Sequence, residues 1–223
     1  MITLHHLENS RSHRILWLLE ELGLKYEIIQ YKRNPLTMLA PKELKKIHPL
    51  GKSPVITDGD NTIAESGAII EYLIESYGQE SNLKPTKSKE ALEYRYWLHY
   101  AEGSLMMPLL MTLLFAKIEN SPMPFFVRPV VKGMVKTVSA TFITPQRNLH
   151  LQFLNDHLAN QDWFCGNEFC AADIQLSFPI ESAFHFKGFT SEYPNLVKFL
   201  TRAKERSAYQ SAQKIGGALK SFI

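Results

Sequence analysis

The sequence predicts a small α/β domain followed by an all-α domain, and three observations carry that prediction. Strand-like, helix-like and again strand-like segments follow one another within the first 31 residues. The tetrapeptide Asp58-Gly59-Asp60-Asn61 then marks a hairpin between two short β-branched runs. Beyond a polar stretch from Ser81 to Ser88, apolar residues recur at helical spacing and no strand signal survives. The expected division is 1–80 for the α/β domain, 81–88 for a linker and 89–223 for the helical domain.

Each element has its own warrant. Residues 2–7, ITLHHL, are short and partly β-branched, as a strand requires. From Ser12 to Leu22 the apolar positions Ile15, Leu16, Leu18, Leu19 and Leu22 form one helical stripe. Gly23 stands where a left-handed C-terminal cap is needed, with Leu24 to close it. Tyr26 to Tyr31, YEIIQY, returns as a strand, and a βαβ unit of this length makes the two strands parallel. Val55–Thr57 and Thr62–Ala64 flank the hairpin turn. Glu65 to Tyr77 turns Ile69, Ile70, Leu73 and Ile74 inward and ends at Gly78. The helical half opens with a long helix from Glu90 to about Lys117, interrupted or bent at Pro108. One or two helices follow between Phe125 and Leu158, with Pro129 and Pro145 as boundaries. Ala171–Phe186 and Asn195–Arg206 complete the expected bundle.

Composition narrows the class. With 223 residues, 45% apolar and 21% charged, the chain fits one generous core or two small domains. No apolar run in the sequence approaches the ~20 residues of a membrane span. The start, MITLHHLENSR, lacks the pattern of a secretory signal. Cys165 and Cys170 make neither a disulfide framework nor a zinc spacing and read as small residues in or near a core. A cytoplasmic protein without a metal site is the expectation. The formal charge of +3 is mild, and its basic pieces alternate with apolar or acidic residues, so no nucleic-acid partner is expected.

Three segments carry chemistry. In HPLGKSPVITDG, Pro54 stands at the entrance of a strand although proline has no N–H for a ladder. A cis Ser53–Pro54 bond there would leave the Val55 main chain unpaired, an edge able to receive an extended peptide as an added strand. An ordinary trans proline at a strand edge is the competing reading. Glu65-Ser66 opens a helix directly after a strand, and a helix N-terminus suits a carboxylate. Ser66 would donate to that carboxylate and Glu65 would pair with an ammonium, together holding an α-amino acid head; plain helix capping explains the pair equally well. Asn9-Ser10-Arg11-Ser12-His13-Arg14 lies at the carboxyl end of the first strand, the usual ligand crevice of a parallel unit. A hydroxyl there favours ionisation of a thiol. Lowering a free thiol from about 8.5 by one or two units needs roughly 1.4–2.7 kcal/mol, within reach of a helix N-terminus, a hydroxyl donor and Arg11 together. Ser10 or Ser12 also serves as a simple cap.

On HPLGKSPVITDG and IAESGAIIEYL, the N-terminal half resembles the thioredoxin-like domain of cytosolic glutathione S-transferases, and the similarity runs over essentially the whole chain. NSRSHRILWLLEELGLKYEI, PFFVRPVV and ADIQLSFPIE resemble a theta-like branch of fungi and proteobacteria. The resemblance implies a cis Pro54, a Val55 main chain paired with the cysteinyl unit of glutathione, and a γ-glutamyl head held by Glu65 and Ser66. Lys52 matches the position that reaches the glycyl carboxylate, with His48 and Lys45 as further candidates. The chain departs from tyrosine-type members, since His5-His6-Leu7 stands where their Tyr does. It departs from cysteine-type members too, because no Cys precedes Cys165. Ser10 matches the theta-like serine and becomes the expected thiolate donor, with Asn9 and Arg11 assisting. Cys170 replaces the usual Ser or Thr of a capping box, a change worth about 0.5–2 kcal/mol of stability, while Asp173 still bonds back and Phe169 with Ile174 form a staple.

The second substrate is expected between the domains. Tyr100, Met106, Met107 and Met111, with Trp97 and Phe115 nearby, offer an adaptable pocket for a small hydrophobic electrophile; core packing is the competing reading of this stripe. Glu102 is expected near the ammonium of glutathione. The resemblance implies a glutathione transferase acting on electrophiles or peroxides, with no cofactor beyond the co-substrate glutathione, assembled as a two-fold homodimer. A non-catalytic glutathione-binding protein and a glutathione-dependent disulfide reductase or peroxidase are the alternatives.

Overall fold

The structure, a computed structural model, describes residues 1–219. β1 (Ile2–Leu7), α1 (Ser12–Glu21) and β2 (Tyr26–Tyr31) form the expected unit, with Ile2 opposite Tyr26 and Leu7 opposite Tyr31 in parallel register. Gly23 takes φ +61, and the Leu24 N–H reaches the Leu19 carbonyl at 3.1 Å, the six-to-one bond of a Schellman turn. An irregular connection with a 3-10 turn at Lys42–Lys46 leads to β3 (Val55–Asp58) and, through Gly59-Asp60, to β4 (Asn61–Ala64). The sheet order is β2-β1-β3-β4, with β3 antiparallel to both neighbours. α2 (Ser66–Tyr77) buries the four isoleucine and leucine positions that its spacing selects.

The helical half differs from expectation in an instructive place. α3 (Ser88–Tyr100) and α4 (Met106–Glu119) form one run of 32 residues. Its irregularity lies not at Pro108 but before it, in a π-helical turn, Ala101–Leu105, where the Met106 N–H bonds to the Ala101 carbonyl. Pro108 has no N–H for the Ser104 carbonyl and its ring crowds that group, so the preceding turn widens. Pro145 repeats the device: a π turn at Ser139–Ile143 separates α5 (Arg128–Val138) from α6 (Thr144–His157). By length and composition the Ser88–Glu119 run meets the requirement for a membrane span, which the reading of apolar runs missed; in this fold it packs against α5, α6 and α7 (Ala171–Ala183).

α8 (Phe189–Glu192), α9 (Pro194–Glu205) and α10 (Ser207–Gly216) follow. The bundle was expected to close at Arg206, and α10 corrects that. It lies along α1, where Tyr209 sets its ring edge-on to Trp17 at 5.0 Å. Covered by sheet, α2, α7 and α10, α1 is buried from Ser12 through Leu19, so one core runs from Leu4, Leu16 and Ile56 to Trp97, Phe164 and Leu176. Cys170 caps α7 after all. Its sulfur takes the Asp173 N–H, while the Asp173 carboxylate accepts the N–H groups of Cys170 and Phe164, each at 2.9 Å. Cys165 and Cys170 are both free and buried.

Candidate active site

The loop between β1 and α1 is held by its own hydroxyls. Asn9 adopts φ +49, a left-handed conformation that asparagine tolerates, and its carbonyl accepts Arg33 Nη2 at 3.1 Å. Arg33 Nη1 also donates to the Met38 carbonyl at 2.9 Å, tying the 33–38 segment to the loop. Ser10 is buried; its hydroxyl lies 2.8 Å from the Leu7 carbonyl and 2.8 Å from Ser12 Oγ, and it accepts the Ser12 N–H at 3.2 Å. Ser12 Oγ is in turn 2.9 Å from His6 Nδ1.

Ser53–Pro54 is cis, as the sequence suggested. The consequence drawn for Val55 is overturned. Val55 lies opposite His5 of β1 and Ala64 of β4, with 1% of its surface exposed, so its main chain belongs to the ladder. The interior position of β3, which the sequence did not reveal, is the reason. Ser53 is the residue left outside. Its Oγ donates to the His5 carbonyl at 2.9 Å and accepts the Leu7 N–H at 3.2 Å, while among the described residues no hydrogen bond reaches its main-chain N–H or C=O. The open margin therefore sits one residue before the proline rather than one after it.

A charged cluster joins the two halves. Arg14, fully buried in α1, donates through Nη1 to Ser66 Oγ at 3.1 Å, to Glu102 Oε1 at 2.5 Å and to Gln175 Oε1 at 3.3 Å. Arg11 Nε binds the same carboxylate at 3.1 Å, and both guanidinium groups lie against the Phe178 ring, at 5.7 Å for Arg11 and 5.1 Å for Arg14. Glu102 was expected to face the ammonium of glutathione; here the π turn aims it at two arginines of its own chain. Burial would raise the Glu102 carboxyl, but Arg14 and Arg11 together bring it below its ordinary value. Burial likewise pushes Arg14 down to about 10 against the pull of Glu102. Glu65, just before α2, carries φ +69, a strained conformation for a side chain without special tolerance of it.

A cleft opens between the halves. One wall is polar: Asn9, Ser10 and Arg11 from the loop, Ser53, and Arg33. The other is mainly apolar, with Met106, Leu109, Leu110 and Leu113 of α4, Phe178 of α7 and Phe186 beyond it, and it also carries Lys117, Ser182 and His185. Of the four residues expected to hold the electrophile, only Met106 lines it. Tyr100 is core, its hydroxyl 2.5 Å from His150 Nδ1, Met107 is 61% exposed, and Met111 is half-buried away from the cleft. Within α4, Met107 and Met111 stand about 100° and 140° round the helix from Met106, whereas Leu109, Leu110 and Leu113 share its face. Lys52 is exposed and His48 half-buried; they, Glu65 and Ser66 stand outside the cleft lining, and Ser66 reaches it only through Arg14 and Arg11. Arg14, Arg33 and Phe178 were missed. Arg14 alone had a signal, a charge inside the apolar stripe of SHRILWLLEE.

The chain matches the family model for the N-terminal domain of glutathione S-transferases over residues 1–75 and that for the C-terminal domain over 143–206. Glutathione S-transferase 3 of Schizosaccharomyces pombe is 36% identical over 96% of this chain and 88% of its own. Glutathione S-transferase 1 of Saccharomyces cerevisiae is 33% identical over 99% and 97%. The crystal structure of a glutathione S-transferase from Actinobacillus pleuropneumoniae superposes with a TM-score of 0.82 at 35% identity, covering 99% of this chain and 95% of that one. A thioredoxin-like sheet unit, a helical bundle and a cleft between them agree with these matches: the chain belongs to the glutathione S-transferase family.

Proposed function

We propose that this glutathione transferase lays glutathione along the open margin at Ser53, turns its thiol toward Asn9 and Ser10, and adds the thiolate to small hydrophobic electrophiles held between α4 and α7. The observation that carries this reading is a cleft with a mainly polar wall from one half of the chain and a mainly apolar one, rich in Met, Leu and Phe, from the other. A peptide thiol and an apolar electrophile need opposite surroundings, and here they meet within one cavity. The Ser53 main chain takes the place first given to Val55, with Pro54 fixing the bend. Glu65 and Ser66 at the head of α2 hold the γ-glutamyl end, backed by Arg14, while Lys52 and His48 serve the glycyl carboxylate. Ser10 is the thiolate donor, and Asn9 and Arg11 assist. No cofactor beyond glutathione enters the reaction. Cytoplasmic residence and a homodimer complete the reading.

Conjugation of chlorodinitrobenzene tests it. Turnover is expected, and Ser10→Ala lowers kcat/KM by about 100-fold or more, the usual scale for losing a proton-handling group. Absorbance of the bound thiolate near 240 nm follows the thiol directly, and its apparent pKa rises in Ser10→Ala. Glutathione binding without turnover would show a binding protein instead. Turnover confined to disulfides or peroxides would show a reductase or peroxidase.

A further inference from the structure

The Ser10 hydroxyl has one proton, and the structure spends it inside the protein, on Leu7 or Ser12. The donor rules show what frees it. The Gly216 carbonyl, 3.0 Å from His6 Nε2, only accepts, so Nε2 carries the hydrogen. Burial holds His6 below its ordinary value, although the Gly216 carbonyl pulls the other way, so the resting ring is neutral and Nδ1 is an acceptor. Ser12 has two acceptors within reach, His6 Nδ1 at 2.9 Å and the Leu7 carbonyl at 3.2 Å; giving its proton to the nearer one, Nδ1, leaves Ser12 Oγ as an acceptor for Ser10 at 2.8 Å. Ser10, at the cleft, thus begins a row of hydroxyls that ends on a buried imidazole.

We propose that His6 is a positioning residue that receives, through Ser12 and Ser10, the proton released when the thiol in the cleft ionises. The inference rests on the reading of the cleft as a glutathione site. The S–H bond breaks and its proton goes to Ser10 Oγ. The former Ser10 proton moves to Ser12 Oγ, and the former Ser12 proton to His6 Nδ1. A thiolate and an imidazolium result, nothing is oxidised, and Ser10 now points an O–H at the thiolate. The resting hydrogen bonds and the Ser10 role proposed above are therefore two states of one chain.

Burial works against an imidazolium at His6, and two features of its surroundings oppose that cost. The carbonyl on Nε2 belongs to the last residue of α10, and the C-terminal end of a helix favours a cation. α10 is anchored there a second time, by Gln30 Nε2 of β2 on the Ile215 carbonyl at 2.9 Å. Residue 216 has to be glycine for this approach: a Cβ would come within 2.7 Å of Leu16 Cδ2 and 2.9 Å of His6 Cε1. His13 of α1 is the titratable group whose charge bears on His6, and burial, with smaller contributions from His6 and Lys204, pushes it down to about 4, so it is neutral where the enzyme works.

His6→Asn and Ser12→Ala test the relay in the full-length protein. Asparagine keeps an acceptor for Ser12 but holds no proton, so it restores packing and not proton transfer. For each variant we expect glutathione affinity by calorimetry within about twofold of the parent. The apparent thiol pKa should rise by about one unit, and kcat at pH 6.5 should fall about tenfold with the pH profile displaced upward, since one unit of pKa is one decade in thiolate fraction. His6→Asn with the parental thiol pKa and profile overturns the relay. Should that variant fail to fold, Ser12→Ala decides alone, and an unchanged thiol pKa there has the same meaning. A parent protein that binds no glutathione overturns both the relay and the reading beneath it, whereas binding with unaffected variants overturns the relay only.

Discussion

At the scale of single residues, the most consequential side chain is Glu102. Its carboxylate answers two guanidinium groups, one of them on a fully buried arginine whose Nε and Nη2 have no partner among the described residues. Glu102→Gln leaves Arg14 without its counter-charge, and we expect about 2–3 kcal/mol of lost stability by urea denaturation, below the full cost for a buried pair because Glu102 is 32% exposed. The sign with pH follows from the depressed carboxyl. Its contribution is complete above the unfolded value near 4.5 and disappears as pH falls through the lower folded value. The variant should therefore lose less stability than the parent between pH 5 and 3; parallel acid limbs would refute the assignment. Residue-level reading succeeded where local chemistry decides conformation: cis Pro54 and left-handed Gly23 were both legible. It failed for Val55, because whether a main chain is paired depends on the neighbours its strand acquires.

Among the elements, the π turns and α10 show what periodicity leaves out. A helical wheel drawn through Tyr100, Met107 and Met111 assumes an unbroken period. The widened turn at Ala101–Leu105 instead presents Met106, Leu109, Leu110 and Leu113 to the cleft. Pro108 and Pro145 were visible as interruptions, but a proline does not say which side of it yields. α10 escaped notice because its buried contribution is one aromatic and one alanine, Tyr209 and Ala212, in an otherwise polar stretch. That aromatic is central to the contact. Tyr209 is 2% exposed, packs on Trp17 and His13, and donates its hydroxyl to Glu181 at 3.1 Å. Tyr209→Ala should cost about 3–5 kcal/mol, as for other large buried rings, and Tyr209→Phe about 1 kcal/mol for the hydrogen bond. Thermal unfolding of the two variants separates packing from polarity. Equal losses would mean that the hydroxyl's bond to Glu181 of α7, not the ring's packing on α1, holds α10 in place.

For the whole molecule, the two-part architecture was legible because the change from period two to helical period is abrupt, and the cleft follows from placing a βαβ loop against a bundle. The quaternary state is not written in one chain's pattern, yet the surface bears on it. Leu92 and Tyr96 of α3 are 62% and 48% exposed, and Leu149 and Phe153 of α6 are 62% and 43% exposed. The two helices meet where Phe153 packs on Trp97 and Tyr100, and leaving these large apolar side chains in water forgoes burial worth about 25 cal/mol per Å². A second copy meeting the same face through a two-fold axis would cover both sets at once, since an isologous contact pairs each patch with itself. Sedimentation equilibrium should then report twice the chain mass of 25.6 kDa. Replacing Leu149 by Lys and Phe153 by Glu places charges within the patch, so the double variant should sediment as a monomer at micromolar concentration. Asn9, Ser10, Ser53 and the α4 residues of the cleft belong to one and the same chain, so that monomer should keep glutathione affinity within about threefold, losing stability rather than binding. A parent that sediments as a monomer, or a double variant that remains a dimer, would place the subunit contact elsewhere or remove it.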